Sequence, residues 1–354
     1  MKIPDVLLSF QYWTNGTLAL AAAICLLGTP GAALAADEDD EGRSCSATAA
    51  RQFTACRSEV TGAFFTGKAV CINVSDEDQR EQCSVEAEAA HTEAQQLCRE
   101  QHQARRDLCD ALGEDRYDPM FNPGDFDDDF AHLTNRNLHF PLQIGNRWEY
   151  VGGAETITVK VLAKTKLIEG VTCIVVNDLV QEDGQTIEDT DDWYAQALNG
   201  DVWYCGEISK NFETFEGDHP QEPELIDIEG SWKAGRDGDR PGIIFLASPT
   251  VGDVYRQEWS PGNAEDAATV LSTSYGFGNH PELDEFVPAE LALLLCANDC
   301  VVTGEVTPIE PDVFERKYYA PGVGLFLEVD PETGDTVQLV DCNADPKCAA
   351  LPMP

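Results

Sequence analysis

The cations of this acidic chain are its most chemically telling residues. Arg256 in "VYRQEW", and Arg316 with Lys317 in "FERKYY", stand beside aromatics on stretches that read as strands. Cationic groups set among rings can hold an anionic headgroup or carboxylate, with Tyr255, Trp259, Tyr318 and Tyr319 as an apolar wall at a barrel mouth. The same alternation is what a half-buried strand needs anyway, and Glu258 and Glu315 offer cross-strand ion pairs.

Other chemistry is hard to find. There is no G-x-S-x-G elbow, no H-E-x-x-H, no P-loop and no strand-to-helix G-x-G-x-x-G. The six histidines stand singly, and His219 and His280 sit in the loop words "GDHP" and "GNHP". Paired carboxylates could serve a hydrolase, but with 64 acidic residues no one pair carries evidential weight. No catalytic residue is assigned and no cofactor is required. Calcium is the one metal left open: Asp127, Asp128 and Asp129 could hold a cation with backbone carbonyls, although the EF-hand spacing is absent.

A net charge of −41 repels nucleic acid and anionic lipid surfaces, so neither is expected as a partner. "LALAAAICLLG" followed by "GAALAADEDD" reads as a signal peptide over residues 1–35, with Ala33 and Ala35 before the cleavage point. Ile24 ahead of Cys25 argues against a lipid anchor. No membrane insertion is expected after cleavage, and the chain should be secreted or periplasmic. Twelve of the thirteen cysteines then remain in an oxidising compartment, where an even count reads as disulfides.

Six of them, Cys45, Cys56, Cys71, Cys83, Cys98 and Cys109, are separated by 11, 15, 12, 15 and 11 residues. The pattern is a mirror about Glu77. Two antiparallel helices folding back near that residue would bring each mirror pair level, since 11 and 15 are near whole numbers of helical turns. The sequence therefore predicts a helical hairpin over residues 43–112, bridged Cys45–Cys109, Cys56–Cys98 and Cys71–Cys83. Ala49, Phe53, Val60, Phe64 and Gly67 would face Ala87, Ala90, Ala94 and Leu97 at the seam. Ser75 can cap the second helix and Gly113 can close it. His91 and His102 are too far apart to share a metal.

The domain reading is then residues 36–113 as the hairpin, 114–139 as an acidic, partly docked strap rich in Asp, Asn and Pro, and 140–342 as a β domain, with a tail over 343–354. The β region offers short alternating runs such as "RWEYVG", "TCIVVNDLV", "DVWYCGE" and "VFERKYYA" between hairpin-type turns. An antiparallel meander is predicted, closed or strongly curved to protect its edges. The fold class is α+β. "ELDEFVPAELALLLC" interrupts the strands with a short helix.

The remaining cysteines form local pairs: Cys173 with Cys205, Cys296 with Cys300, Cys342 with Cys348. Cys296 or Cys300 could instead reach Cys342 or Cys348, and a zinc site is the weaker alternative to bridges in an exported chain.

The words "WEY", "DWYAQ", "GDVWYCGE", "GIIF", "VGDVYRQEW" and "KYYAPGVG", with "ALGEDRYDP" before them, resemble a group of exported bacterial proteins in which a cysteine-bearing helical segment precedes a β-rich domain. The resemblance covers about residues 45–341 and brings no catalytic residues, because no activity is established for that group. Cys173 and Cys205 look like a matched addition to its pattern, which favours their pairing. The expected function is a non-enzymatic exported binding module for a small amphipathic or surface ligand, with the hairpin as a spacer or an arm for another exported protein. A calcium-associated surface protein and an unrecognised hydrolase are the alternatives.

Overall fold

The computed structural model describes residues 42–353, and the expected signal peptide lies outside the described residues. The chain divides into two compact units between Arg116 and Tyr117.

The first unit is the helical hairpin. Helix α1 spans Ser44–Ile72 and α2 spans Glu77–Leu112. Three disulfides join the mirror-related cysteines, Cys45–Cys109, Cys56–Cys98 and Cys71–Cys83, with Cα–Cα distances of 5.6, 5.8 and 5.6 Å. Helices can approach this closely because small residues face the partner: a Cβ built on Gly67 would lie 3.6 Å from that of Ala87. Phe53 stacks on His102 at 4.9 Å and Phe64 packs on His91 at 4.6 Å, so both histidines belong to the seam. Two expectations are corrected. The cap of α2 is Asp76, which accepts from the Gln79 amide, and not Ser75; the acidic side chain also suits the positive helix end. Leu97 is 42 % exposed, because Cys98 faces α1 and its neighbour is turned about 100° away.

The second unit is an antiparallel sheet curled into a nearly closed barrel. Strands β1 (Arg147–Gly152), β2 (Glu155–Ile168), β3 (Val171–Glu182), β4 (Gln185–Gln196) and β5 (Val202–Ile208) form a meander. Short strands β6 (Asn211–Glu213), β7 (Glu224–Asp227) and β8 (Trp232–Lys233) hang from its edge. Strands β9 (Arg240–Phe245), β10 (Val254–Arg256), β11 (Glu258–Trp259) and β12 (Ala267–Tyr275) follow. After helix α3 (Ala289–Leu295) come β13 (Cys300–Thr307), β14 (Glu310–Ala320), β15 (Gly324–Val329) and β16 (Thr336–Cys342).

The hydrogen-bonded order runs β10-β12-β13-β14-β15-β16-β1-β2-β3-β4-β5-β9-β11. The last strand therefore pairs with the first, and the two ends of the path, β10 and β11, are separated in the chain by Gln257 alone. The run "DVYRQEW", which reads as one strand, is bulged at that residue: the amides of Gln257 and Glu258 both donate to the Asp266 carbonyl. Closure removes the long edges that an open sheet of this size would expose.

Residues 117–146 pack onto this sheet. Phe126 bridges to Ala197 and is buried in one apolar cluster, and Phe130 and Leu133 are buried in another. Phe140 meets Tyr194 edge-on at 5.3 Å, and Phe245 meets Tyr319 at 4.6 Å, giving the interior an aromatic region. Cys173–Cys205 lies in a separate apolar cluster with Val175, Trp193 and Ala195, while Cys296–Cys300 and Cys342–Cys348 close local loops. The many bridges indicate an oxidising extracellular or periplasmic setting. No helix among the described residues is long and apolar enough to cross a membrane.

Candidate functional site

The barrel interior is lined by acids. On β14, Glu315, Lys317 and Tyr319 alternate with Arg316 and Tyr318, so the period of two points the first three to one face. Register carries that face sideways: Glu305 of β13 lies opposite Glu315, Glu328 of β15 opposite Lys317, and Ala268 and Tyr255 continue the Glu305 row through β12 and β10. On β3, Asp178 shares its face with the buried Ile174, Val176 and Val180. On β4, Glu188, Asp192 and Tyr194 share theirs with Gln196.

Bulges bring in two more acids. Tyr204 pairs with Tyr194, whereas Gly206 pairs with Trp193, so β5 holds one extra residue and Glu207 turns to the face of Tyr204. Gly206 makes this turn with φ of 124°, and a Cβ there would lie 2.4 Å from the Trp232 carbonyl. The bulge at Gln257 does the same for Glu258 after Tyr255.

Lys317 is the cation set among these acids. Its Nζ is 3.1 Å from Glu305, 3.6 Å from Glu315 and 4.0 Å from Glu328. Burial opposes its charge, but those three carboxylates hold its pKa well above the ordinary lysine value. On β5, the Tyr204 hydroxyl touches Asp192 and lies 2.9 Å from Glu207 Oε2. One hydroxyl hydrogen cannot serve two carboxylates, so one of these acids must supply its own proton.

Burial pushes Asp192 and Asp266 up to about 7 and Glu328 up to about 8. Burial first, then repulsion from neighbouring carboxylates, raises Glu207, Glu258 and Asp178 well above the usual carboxylate range. The interior thus holds protons at neutral pH, and a cation supplied from outside could replace them. Although enclosed by strands, the Lys317 side chain retains 20 % of its surface and Glu315 retains 14 %.

The aromatic and cationic residues read from the sequence are divided among three places. Tyr255 and Tyr319 face the interior with Glu305. Arg256 lies 5.6 Å over the Tyr117 ring, which also packs against Trp259 at 5.9 Å, on the other face of the sheet. Arg316 donates to the Glu282 carbonyl and the Tyr318 hydroxyl to the Leu283 carbonyl, with Tyr318 fully buried. Lys317 pairs with Glu315, as a half-buried strand allows, but also with two acids that only register places beside it.

Asp127 and Asp129 hold their own loop: Asp127 accepts from the Thr134 amide and hydroxyl, and Asp129 from the Ala131 amide and the His132 ring. Asp128 is exposed. Among the described residues no group of three or more His, Cys, Asp or Glu is arranged to hold a metal ion. A shallow cleft of 430 Å³ on the second unit, lined by Leu179, Phe212 and Pro223 with Thr186, Asp189 and Glu222, gathers no comparable set of groups.

The interior acids were missed because they were counted as surface charge. A signal existed for one: in "IVVNDLV", Asp178 has the same parity as three apolar core residues. For Glu207 and Glu258 none did, since bulges decide their face. No family model, curated protein or solved structure matches the chain, so the functional reading rests on this interior.

Proposed function

We propose that the protein is a non-enzymatic, exported binding module that takes a small amphipathic ligand into the barrel. The observation that carries this reading is the interior itself: aromatic at Phe140, Tyr194, Phe245 and Tyr319, acidic beyond them, and partly open at Lys317 and Glu315. Concave sites with apolar walls and a few convergent polar groups are where small molecules bind. The hairpin, stiffened by three disulfides, serves as a spacer or an arm for another exported protein.

Native mass spectrometry of the protein purified from its own host, without reducing agent or chelator, tests the reading. We expect a small molecule bound in stoichiometric amount and released on gentle activation. A bare chain that binds no member of a panel of amphipaths would overturn it. So would turnover of esters, glycosides or phosphoesters abolished by a single interior substitution.

A further inference from the structure

Helix α1 carries a second stripe, on the side away from α2. Ala55, Ser58, Gly62, Phe65, Ala69 and Ile72 recur at intervals of 3, 4, 3, 4 and 3, and all six are exposed. That spacing is the heptad seam by which one helix packs along another. Ala55, Gly62 and Ala69 follow the hairpin-seam residues Phe53, Val60 and Gly67 by two positions, about 200° round the helix. The helix therefore has a packing pattern on two opposite sides, and α2 fills one of them.

The outward side has the character of a contact face. Phe65 is 65 % and Ile72 75 % exposed. The hydroxyls of Thr54, Ser58, Thr61 and Thr66 each donate to the carbonyl four residues back, at 2.7–3.2 Å, so their protons are satisfied within the helix and need no water. From Val60 to Ile72 the one charged residue is Lys68, whose ammonium is 2.9 Å from Glu88 of α2. In a chain of net charge −41, that stretch offers a surface to which a second acidic copy can come close.

The order of sizes along the stripe says what covers it. Laid antiparallel to itself about the point midway between Gly62 and Phe65, the stripe sets Gly62 against the partner's Phe65, Ala55 against the partner's Ile72 and Ser58 against the partner's Ala69. Large meets small at two levels and small meets small at the third. The flanks oppose no like charges: Glu59 falls beside the partner's Thr66, and Lys68 beside the partner's Thr61. A parallel copy would instead set Phe65 against Phe65 and Gly62 against Gly62, crowding one level and emptying the next.

We infer that two copies of this chain join through the outward face of α1, antiparallel and related by a two-fold axis between Gly62 and Phe65. Self-complementarity of one patch is what such a contact requires. The inference deepens the reading of the hairpin as an arm, naming a second copy as what it holds, and rests on that reading. Ala55–Ile72 spans about 27 Å of helix. Such a strip buries on the order of 1,000 Å² in all, the low end for specific interfaces, so a micromolar dissociation constant is expected.

Sedimentation equilibrium of the full chain, disulfides intact, from micromolar to several hundred micromolar, tests it. A reversible monomer–dimer equilibrium is expected, tightening as salt screens the net charge. Phe65→Glu should leave the chain monomeric with its far-ultraviolet circular dichroism unchanged, because the side chain it replaces is exposed. Gly62→Leu should weaken the dimer about tenfold or more by filling the hollow that the partner's Phe65 needs, although it adds apolar surface and favours the helix. Val85→Glu, at a residue 55 % exposed on α2, should change nothing. A chain monomeric throughout overturns the inference and leaves the arm to a protein of another sequence. A dimer that Phe65→Glu keeps, or that Gly62→Leu tightens, is joined by another surface or by unspecific adhesion and overturns it as well. If the chain stays monomeric and floats with phosphatidylcholine vesicles while Phe65→Glu does not, the face meets lipid, and both the inference and the arm reading fall.

Discussion

The Lys317 ammonium lies 3.1 Å from Glu305 Oε2, inside a barrel whose interior is lined by acids. The pair joins β14 to β13 and, through Glu328, to β15, so three strands converge on one buried cation. Its removal should be costly. Lys317→Met leaves Glu305 and Glu328 without their counter-charge, and stranding a buried charge costs about 3–5 kcal/mol. We expect that loss at pH 8, measured by urea unfolding. At pH 5, where the Glu328 carboxyl holds its own proton, the loss should be clearly smaller; an equal loss at both values would contradict the buried cluster.

Stability should fall as pH rises, the reverse of the usual behaviour of a protein rich in ion-paired carboxylates. Asp192 and Asp266 are raised to about 7 and Glu328 to about 8, all by burial first. An acid with a raised folded pKa binds its proton in the native state while the unfolded chain has released it. Its contribution is therefore complete below the unfolded value near 4, and is lost as pH climbs through 7 to 8. Each such carboxyl adds a slope of up to about 1.4 kcal/mol per pH unit in that window. Melting temperatures at pH 5, 6, 7 and 8, at constant ionic strength, should decline steadily and then level off. A rise from pH 5 to 8 would show that the interior acids are ionised in the fold.

Barrel closure should fail at one glycine. A Cβ on Gly242 would come within 2.0 Å of the Gln257 carbonyl oxygen, and the obstacle is backbone that has no rotamer to change. Gly242→Ala should cost at least the ~1–3 kcal/mol typical of overpacking and separate β9 from β11. By contrast, Gly62 in α1 has nothing within 4 Å of its added Cβ, so Gly62→Ala should stabilise the hairpin by about 1 kcal/mol. Hydrogen exchange of the two regions checks both.

The hairpin should depend on its bridges. Besides cysteines, the buried residues are Ala49 on α1 and Arg105 and Leu108 on α2, too little apolar surface to hold two long helices together. The Cys56–Cys98 bridge spans 42 residues, worth about 4 kcal/mol in chain entropy. Replacing both cysteines by serine should speed amide exchange in the middle of α1 and α2 while leaving the sheet protected. Unchanged exchange would show that helix packing suffices.

By itself, the sequence determined what is local or periodic. The mirror spacing of six cysteines specifies a hairpin, because only one fold-back brings every pair level on helical faces. Alternation within "RWEYVG" or "TCIVVNDLV" specifies a strand, because side-chain direction follows the pleat. Tertiary structure decided the closure of the barrel and the contents of its interior. Pairing of β16 with β1 joins residues nearly 200 apart, as in Trp148 opposite Cys342, and no local pattern encodes it. Glu207 and Glu258 face inward because one extra residue, at Gly206 and at Gln257, reverses the side of everything that follows. An acid is surface charge or interior site according to that one-residue shift, and it is the partner strand that sets the shift.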